Sequence, residues 1–216
     1  DLARIESGRL EIRAEEFNLA GLARQVAGLA ELRARAGGVA FRLEIDPAAD
    51  ARVWGDEHRI KQILLNLLSN AVKFTEAGEV VLTVSSKPLD ADRAELTFSV
   101  RDTGIGLSAD EMSRLFQSFS QADSSTTRKY GGTGLGLSIC SGLVARMGGS
   151  IGVESVPGKG SIFHFTARLG RTAESGPQPE MPNPLAGAEV LLVDDSAENR
   201  DALAATLTAF GVEPVL

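Results

Sequence analysis

Residues 57–74, EHRIKQILLNLLSNAVKF, constrain the fold more than any other stretch of this chain. Ile60, Ile63, Leu64, Leu67, Leu68, Ala71 and Val72 recur at i, i+3, i+4 and i+7, the spacing of a helix with a single apolar stripe. At about 100° per residue, Asn66, Asn70 and Lys73 fall within about 60° of one another, well away from the centre of that stripe. A solvated helix face normally carries Glu, Lys and Arg. Asn favours a helix less, because its amide competes for nearby backbone groups. The strip is therefore either a solvated face or a ligand surface. An amide oxygen is a hard ligand suited to Mg²⁺, and a lysine is a point charge suited to phosphate. Spacing does not choose between these readings.

The flanking sequence gives this helix a sheet to pack on. Residues 1–17 read as the end of a helix running into an exit turn. Residues 18–38 read as a helix that stops at Gly37 and Gly38. VAFRLEID alternates as a strand should, a short strand follows in ARVWG, and Asp56 is placed to cap the 57–74 helix. EVVLTVSS and AELTFSVRD are strands joined by a polar turn with Pro88 and Asp90. A Ser/Thr-rich segment at 117–130 precedes glycines and a helix through LGLSICSGLVARM. Two more strands are joined by a turn at Pro157–Gly160. Cys140, Met147 and Trp54 read as packing residues.

Residues 170–187, GRTAESGPQPEMPNPLAG, hold four of the eight prolines and no apolar period, so they read as an extended, exposed linker. Beyond it, residues 188–216 read as a strand, an acidic turn, a helix and the start of another strand.

Composition narrows the function classes. A formal charge of −7 and a pI near 5.0 argue against a general nucleic-acid binder or a polybasic membrane module. One cysteine rules out an intramolecular disulfide framework and fits a reducing compartment. No run reaches the roughly 18 apolar residues of a membrane span, and no signal peptide opens the chain.

Three further stretches carry chemistry. RDTGIGLS ends a strand in Asp102, followed by Gly104 and Gly106. A carboxylate there can accept from an exocyclic amine, beside glycines that let backbone approach a ligand; the same residues also suit a plain turn. LFQSF sets Phe116 and Phe119 three apart, a spacing common in hydrophobic anchors. RKYGGTGLGLSI places Gly131, Gly132, Gly134 and Gly136 just before a helix, whose first N–H groups favour phosphate oxygens. The glycine spacing lacks the third position of the dinucleotide fingerprint, and a polar segment stands where that motif needs a strand. No G-x-x-x-x-G-K-[ST] loop is present.

In this order, NLLSNAVKF, DTGIG, LFQSF and GGTGLGL resemble the asparagine, first glycine, phenylalanine and second glycine boxes of bacterial sensor histidine kinases. The resemblance covers roughly residues 18–169, the ATP-binding catalytic domain. It implies an α/β fold of Bergerat type, a two-layer sandwich shared with gyrase, mismatch-repair and chaperone ATPases. It also implies ATP and Mg²⁺ as ligands. Asn70 matches the position that ligates Mg²⁺ on the ATP phosphates, and Asn66 one that contacts metal or phosphate. In the related ATPases that earlier position is a water-activating glutamate. Lys73 would contact phosphate and Asp102 would read the adenine amine. Gly104 and Gly106 would line the base pocket, and Phe116 would be a cofactor-binding residue. Gly132, Thr133, Gly134, Leu135 and Gly136 would line the phosphate side. Residues 117–131 would form a lid, with Arg128 on phosphate.

The two histidines, His58 and His164, do not match the family's phosphate acceptor. DLARIESGRLEIR resembles the end of the dimeric hairpin that carries it, so residues 1–17 are expected to be that hairpin's exit and the acceptor to lie upstream. VLLVDDSAENR resembles the start of a receiver domain, with Asp194 and Asp195 as a Mg²⁺-binding pair; adjacent carboxylates after a strand also serve as a helix cap. Residues 188–216 are thus expected to be a truncated, doubly wound receiver-like fragment. Together the ends imply a hybrid kinase: cytoplasmic in this part, homodimeric at full length, passing phosphoryl groups to receiver aspartates, without nucleic-acid or membrane contact here. Three rivals are a degenerate docking module, an ATPase of the same superfamily, which Asn66 disfavours, and a serine kinase of the anti-sigma type.

Overall fold

The structure, a computed structural model, describes residues 12–116, 136–172, 189–191, 204 and 213–215. They fall into two compact units, 1–175 and 176–216.

The first unit is a two-layer α/β sandwich, as expected. Its strands are β1 (Glu15–Asn18), β2 (Ala40–Ile45), β3 (Arg52–Gly55), β4 (Glu79–Pro88), β5 (Arg93–Asp102), β6 (Ile151–Val156) and β7 (Gly160–Arg171). Among the described residues its helices are α1 (Leu19–Ala36), α2 (Glu57–Phe74), α3 (Ala109–Arg114) and α4 (Gly136–Arg146), with a 3₁₀ turn at Pro47–Ala49. The sheet runs β1-β3-β7-β5-β4-β2, and β6 shares with β3 the other edge of β7. Only the β2–β4 pair is parallel among the described pairs of this sheet. That pairing is possible because the connection through β3 and α2 is long enough to cross over.

Alternation sorts the sheet into two faces. Leu96, Phe98 and Val100 of β5 lie beside Leu82, Val84, Phe163 and Phe165 on the buried face, with Phe98 and Phe165 stacked at 4.6 Å between ring centroids. Such a pair is worth about 0.5–1.5 kcal/mol beyond the area it buries. Glu95, Thr97, Ser99 and Arg101 point the other way and are half-buried. Ile60, Ile63, Leu64, Leu67, Leu68 and Ala71 of α2 close the core together with Leu22, Val26 and Ala30 of α1 and Leu143 and Val144 of α4.

The helix ends follow the expected chemistry. Asn18 Oδ1 accepts from the Gly21 N–H at the start of α1, which ends at Gly37 and at Gly38 with φ 72°. Buried Asp56 caps α2 by accepting from Arg59 N–H at 3.0 Å, and its second oxygen accepts from Arg13 N–H at 2.9 Å.

Two boundaries and one packing residue differ from expectation. Residues 15–17, expected at a hairpin exit, belong to the sheet, where Glu15–Asn18 pair antiparallel with Arg52–Gly55. Phe17 is buried there, and that one apolar side chain is too short a pattern to announce a strand. Gly170 and Arg171, placed in the linker, are the last residues of β7 and pair with Trp54 and Val53. Trp54 itself is 49% exposed, so it is not a core packing residue. In the second unit, β8 (Glu189–Leu191) pairs in parallel with β9 (Glu213–Val215). Ala204 is helical.

Candidate functional site

The site is built where α2 ends beside the end of β5. Asn66, Asn70 and Lys73 are half-buried on α2, outside its buried stripe. The Asn66 amide nitrogen donates to Cys140 Sγ at 3.3 Å. Lys73 Nζ lies 5.0 Å from the centroid of the Phe74 ring, a cation–π distance. The helix stops at Thr75, whose buried hydroxyl donates to the Ala71 carbonyl at 2.7 Å. The Phe74 carbonyl accepts from Ile105 N–H at 3.2 Å, and this bond ties the asparagine helix to the loop after β5.

Asp102, the last residue of β5, is 6% exposed. Burial pushes its carboxyl above the ordinary aspartate range, opposed by backbone N–H donation from Gly104 and Ser161. The Gly104 bond is 2.8 Å. A desolvated carboxylate is a strong acceptor for a further N–H donor. A Cβ on Gly104 would run into the Phe74 carbonyl, and one on Gly106, at φ 67°, into that of Val156. Glycine is required at both, and the backbone of this loop stays bare.

The β6–β7 turn holds the loop from below. Ser155 Oγ accepts from Leu107 N–H at 2.8 Å and donates to the Gly160 carbonyl at 2.9 Å, while Gly158 N–H donates to the Ile105 carbonyl at 2.7 Å. Ser155 and Ser161 carry no motif, and their part in the site was invisible in the sequence. Their position follows from β-strand register alone. The loop runs into α3, which opens with a capping box between Ser108 and Glu111. Phe116 is half-buried just beyond it. Gly136 begins α4 against Asn66: a Cβ there would stand 2.5 Å from Asn66 Oδ1.

Asn66, Asn70, Lys73, Asp102, Gly104, Gly106, Phe116 and Gly136 are thus placed, and the contacts above join α2, the loop after β5 and α4. Arg128, Gly132, Thr133, Gly134, Leu135 and Phe119 lie outside the described residues, as do Asp194 and Asp195. His58 is exposed at the start of α2, and His164 pairs with Ser99 on the sheet face opposite Phe163 and Phe165. Cys140 is buried, as a packing residue should be, but its bond to Asn66 was not foreseen.

Residues 55–171 match the family described as histidine kinase-, DNA gyrase B-, and HSP90-like ATPase. The chain belongs to this family. A nucleotide-free catalytic domain of histidine kinase ThkA aligns at 31% identity and a TM-score of 0.57, covering 74% of this chain and 98% of that one. A crystal structure of full-length ShkA in complex with AMPPNP aligns at 38% identity and a TM-score of 0.68, covering 98% of this chain and 42% of that one. Sensor histidine kinase AruS of Pseudomonas aeruginosa is 43% identical over 199 residues, 92% of this chain and 20% of that protein. BarA of Escherichia coli K12 is 39% identical over 169 residues, 78% of this chain and 18% of that protein. The chain therefore contains a histidine kinase catalytic domain and spans about a fifth of the length of these two curated relatives.

Among the described residues, no helix is long and apolar enough to cross a membrane.

Proposed function

We propose that this chain binds ATP with Mg²⁺ and presents the γ-phosphoryl group to a histidine on a helical hairpin upstream, for onward transfer to receiver aspartates. The observation that carries the reading is the junction of a buried, backbone-held carboxylate, Asp102, with the amide-bearing end of α2 through the Phe74 carbonyl.

The parts suit that ligand. Asp102 offers a carboxylate to the exocyclic amine of adenine, and Gly104 and Gly106 admit the base close to bare backbone. Asn70 and Asn66 offer hard amide oxygens, and Lys73 a cation for phosphate. Among the described residues, no three His, Cys, Asp or Glu side chains cluster closely enough to hold a metal. Phosphate oxygens would share a cation with these amides. Bound Mg²⁺ would neutralise charge on those oxygens. The polar strip of α2 lacks a carboxylate, so it supplies no base to activate water. That fits a site that keeps ATP for transfer. Rate enhancement would come mainly from placing the phosphoryl group in line and from charge stabilisation.

By this reading Arg128 contacts phosphate, Gly132, Thr133, Gly134 and Leu135 line the phosphate side, Asp194 and Asp195 bind Mg²⁺ in a receiver-like unit, and the full-length protein is a homodimer. Transfer is tested by incubating a chain extended through the hairpin with γ-labelled ATP. Acid-labile, alkali-stable label is the expected result. A chain that binds ATP yet never acquires such label contradicts the transfer step and leaves nucleotide binding standing.

A further inference from the structure

Cys140 lies 74 residues from Asn66 in sequence and on another helix, yet its sulfur accepts from the Asn66 amide nitrogen at 3.3 Å. Gly136, one turn earlier on the same face of α4, approaches the other end of that amide, with its Cβ position 2.5 Å from Oδ1 and 3.0 Å from Nδ2. The two contacts treat the ends of the amide differently. The nitrogen meets a polarisable sulfur, and the oxygen meets bare backbone at the electropositive start of α4. An asparagine amide is nearly symmetric in shape, so only its partners decide which end faces a ligand. Burial pushes the Cys140 thiol up to about 11, so it stays neutral at physiological pH.

We propose that Cys140 is a positioning residue for Asn66, fixing its amide so that the oxygen end serves the Mg²⁺-bearing phosphates. The inference rests on the assignment of Asn66 above. It makes α4 more than a wall of the core. The helix that begins at the second glycine box also sets the orientation of an asparagine on α2, and Gly136 must lack a side chain for the two to meet.

The test is calorimetry of ATP binding to the chain, with Mg²⁺ and with EDTA, for wild type, Cys140→Val and Cys140→Ser. It is joined by NMR of the Asn66 side-chain amide, assigned by its loss in Asn66→Asp. Val fills the space without an acceptor, and Ser restores one. In Cys140→Val the ratio of the two dissociation constants should shrink roughly threefold to tenfold, the range a single hydrogen bond spans. The Asn66 amide signals should move, and Cys140→Ser should recover both. A purely structural role would lower the melting temperature and weaken binding equally in both buffers, leaving the ratio alone. If Cys140→Val does not fold, Cys140→Ala serves for the same comparison. An unchanged ratio with unmoved amide signals overturns the proposal. A wild type whose ATP affinity ignores Mg²⁺ overturns the functional reading, and the proposal with it.

Discussion

α1 and α2 are each 18 residues long and close the same core, yet their outer faces have little in common. α1 exposes Arg24 and Arg35, with Arg35 paired to half-buried Glu31 at 2.9 Å, alongside the exposed leucines Leu29 and Leu32. α2 carries Asn66, Asn70 and Lys73, all half-buried, and the Asn66 amide reaches Cys140 on α4. Intrinsic helix propensity accounts for the charged residues of α1 and not for the asparagines of α2. The difference teaches where to look for function: on the helix whose outer residues weaken it locally. The apolar stripe that both helices share carries stability.

If that division is right, changes on α2's polar strip should cost activity and spare the fold, and changes at α1's outer surface should do the reverse. The largest effect is expected for Asn70→Ala. Phosphoryl transfer in the hairpin-extended chain should fall by roughly 10²–10³, the loss typical of one well-placed electrostatic contact. Its unfolding free energy, from urea titration, should stay within about 0.5 kcal/mol of wild type. Transfer within about threefold of wild type would break the comparison on its functional side.

Next comes the pH dependence of ATP affinity. Asp102 accepts an amine only as the carboxylate, and its folded pKa is raised by burial. Affinity should therefore decline as pH falls through that raised value, earlier than an ordinary exposed aspartate would dictate. Calorimetry across an acid series reads this directly. The stability linkage has the opposite sense. A raised folded pKa favours folding most below the unfolded value, and that contribution is lost as pH rises through the folded one. Deprotonated Asp102 thus costs stability at neutral pH, which is the pattern of a residue kept for binding.

On α1, Asn18→Ala removes the cap that holds Gly21 N–H. It should lower stability by about 1 kcal/mol in urea titration while leaving ATP affinity unchanged. The smallest effect belongs to Arg35→Ala. An exposed i,i+4 pair contributes about 0.3–0.5 kcal/mol, so the change should be slight and should vanish in high salt. Any loss of ATP affinity in either variant would blur the contrast between the helices.

Much of this was legible in the sequence. The seven-position apolar period of α2, the stop at Gly37 and Gly38, and Asp56 as a cap are local signals, and the structure keeps them. The two glycines after Asp102 were legible for the same reason. What escaped was set by partners distant in sequence. β1 is a strand because β3 is beside it, and its four residues hold one buried apolar side chain, too few to show a period. Trp54 reads as core because it is large and apolar; alternation along β3 puts it on the solvent-facing side of the sheet. Ser155 supports the Asp102 loop, and Cys140 reaches Asn66, only because β6, β7 and α4 fold back across 48 and 74 residues.

The central claim is that α2 and the Asp102 loop form one Mg²⁺-assisted ATP site. Calorimetry of ATP with the chain, in Mg²⁺ and in EDTA, for wild type and Asp102→Ala, tests it most directly. Binding that tightens with Mg²⁺ in the wild type and is lost in Asp102→Ala is the predicted result. A folded wild-type chain that binds no ATP, or an Asp102→Ala variant that binds it as well as wild type does, would contradict the account.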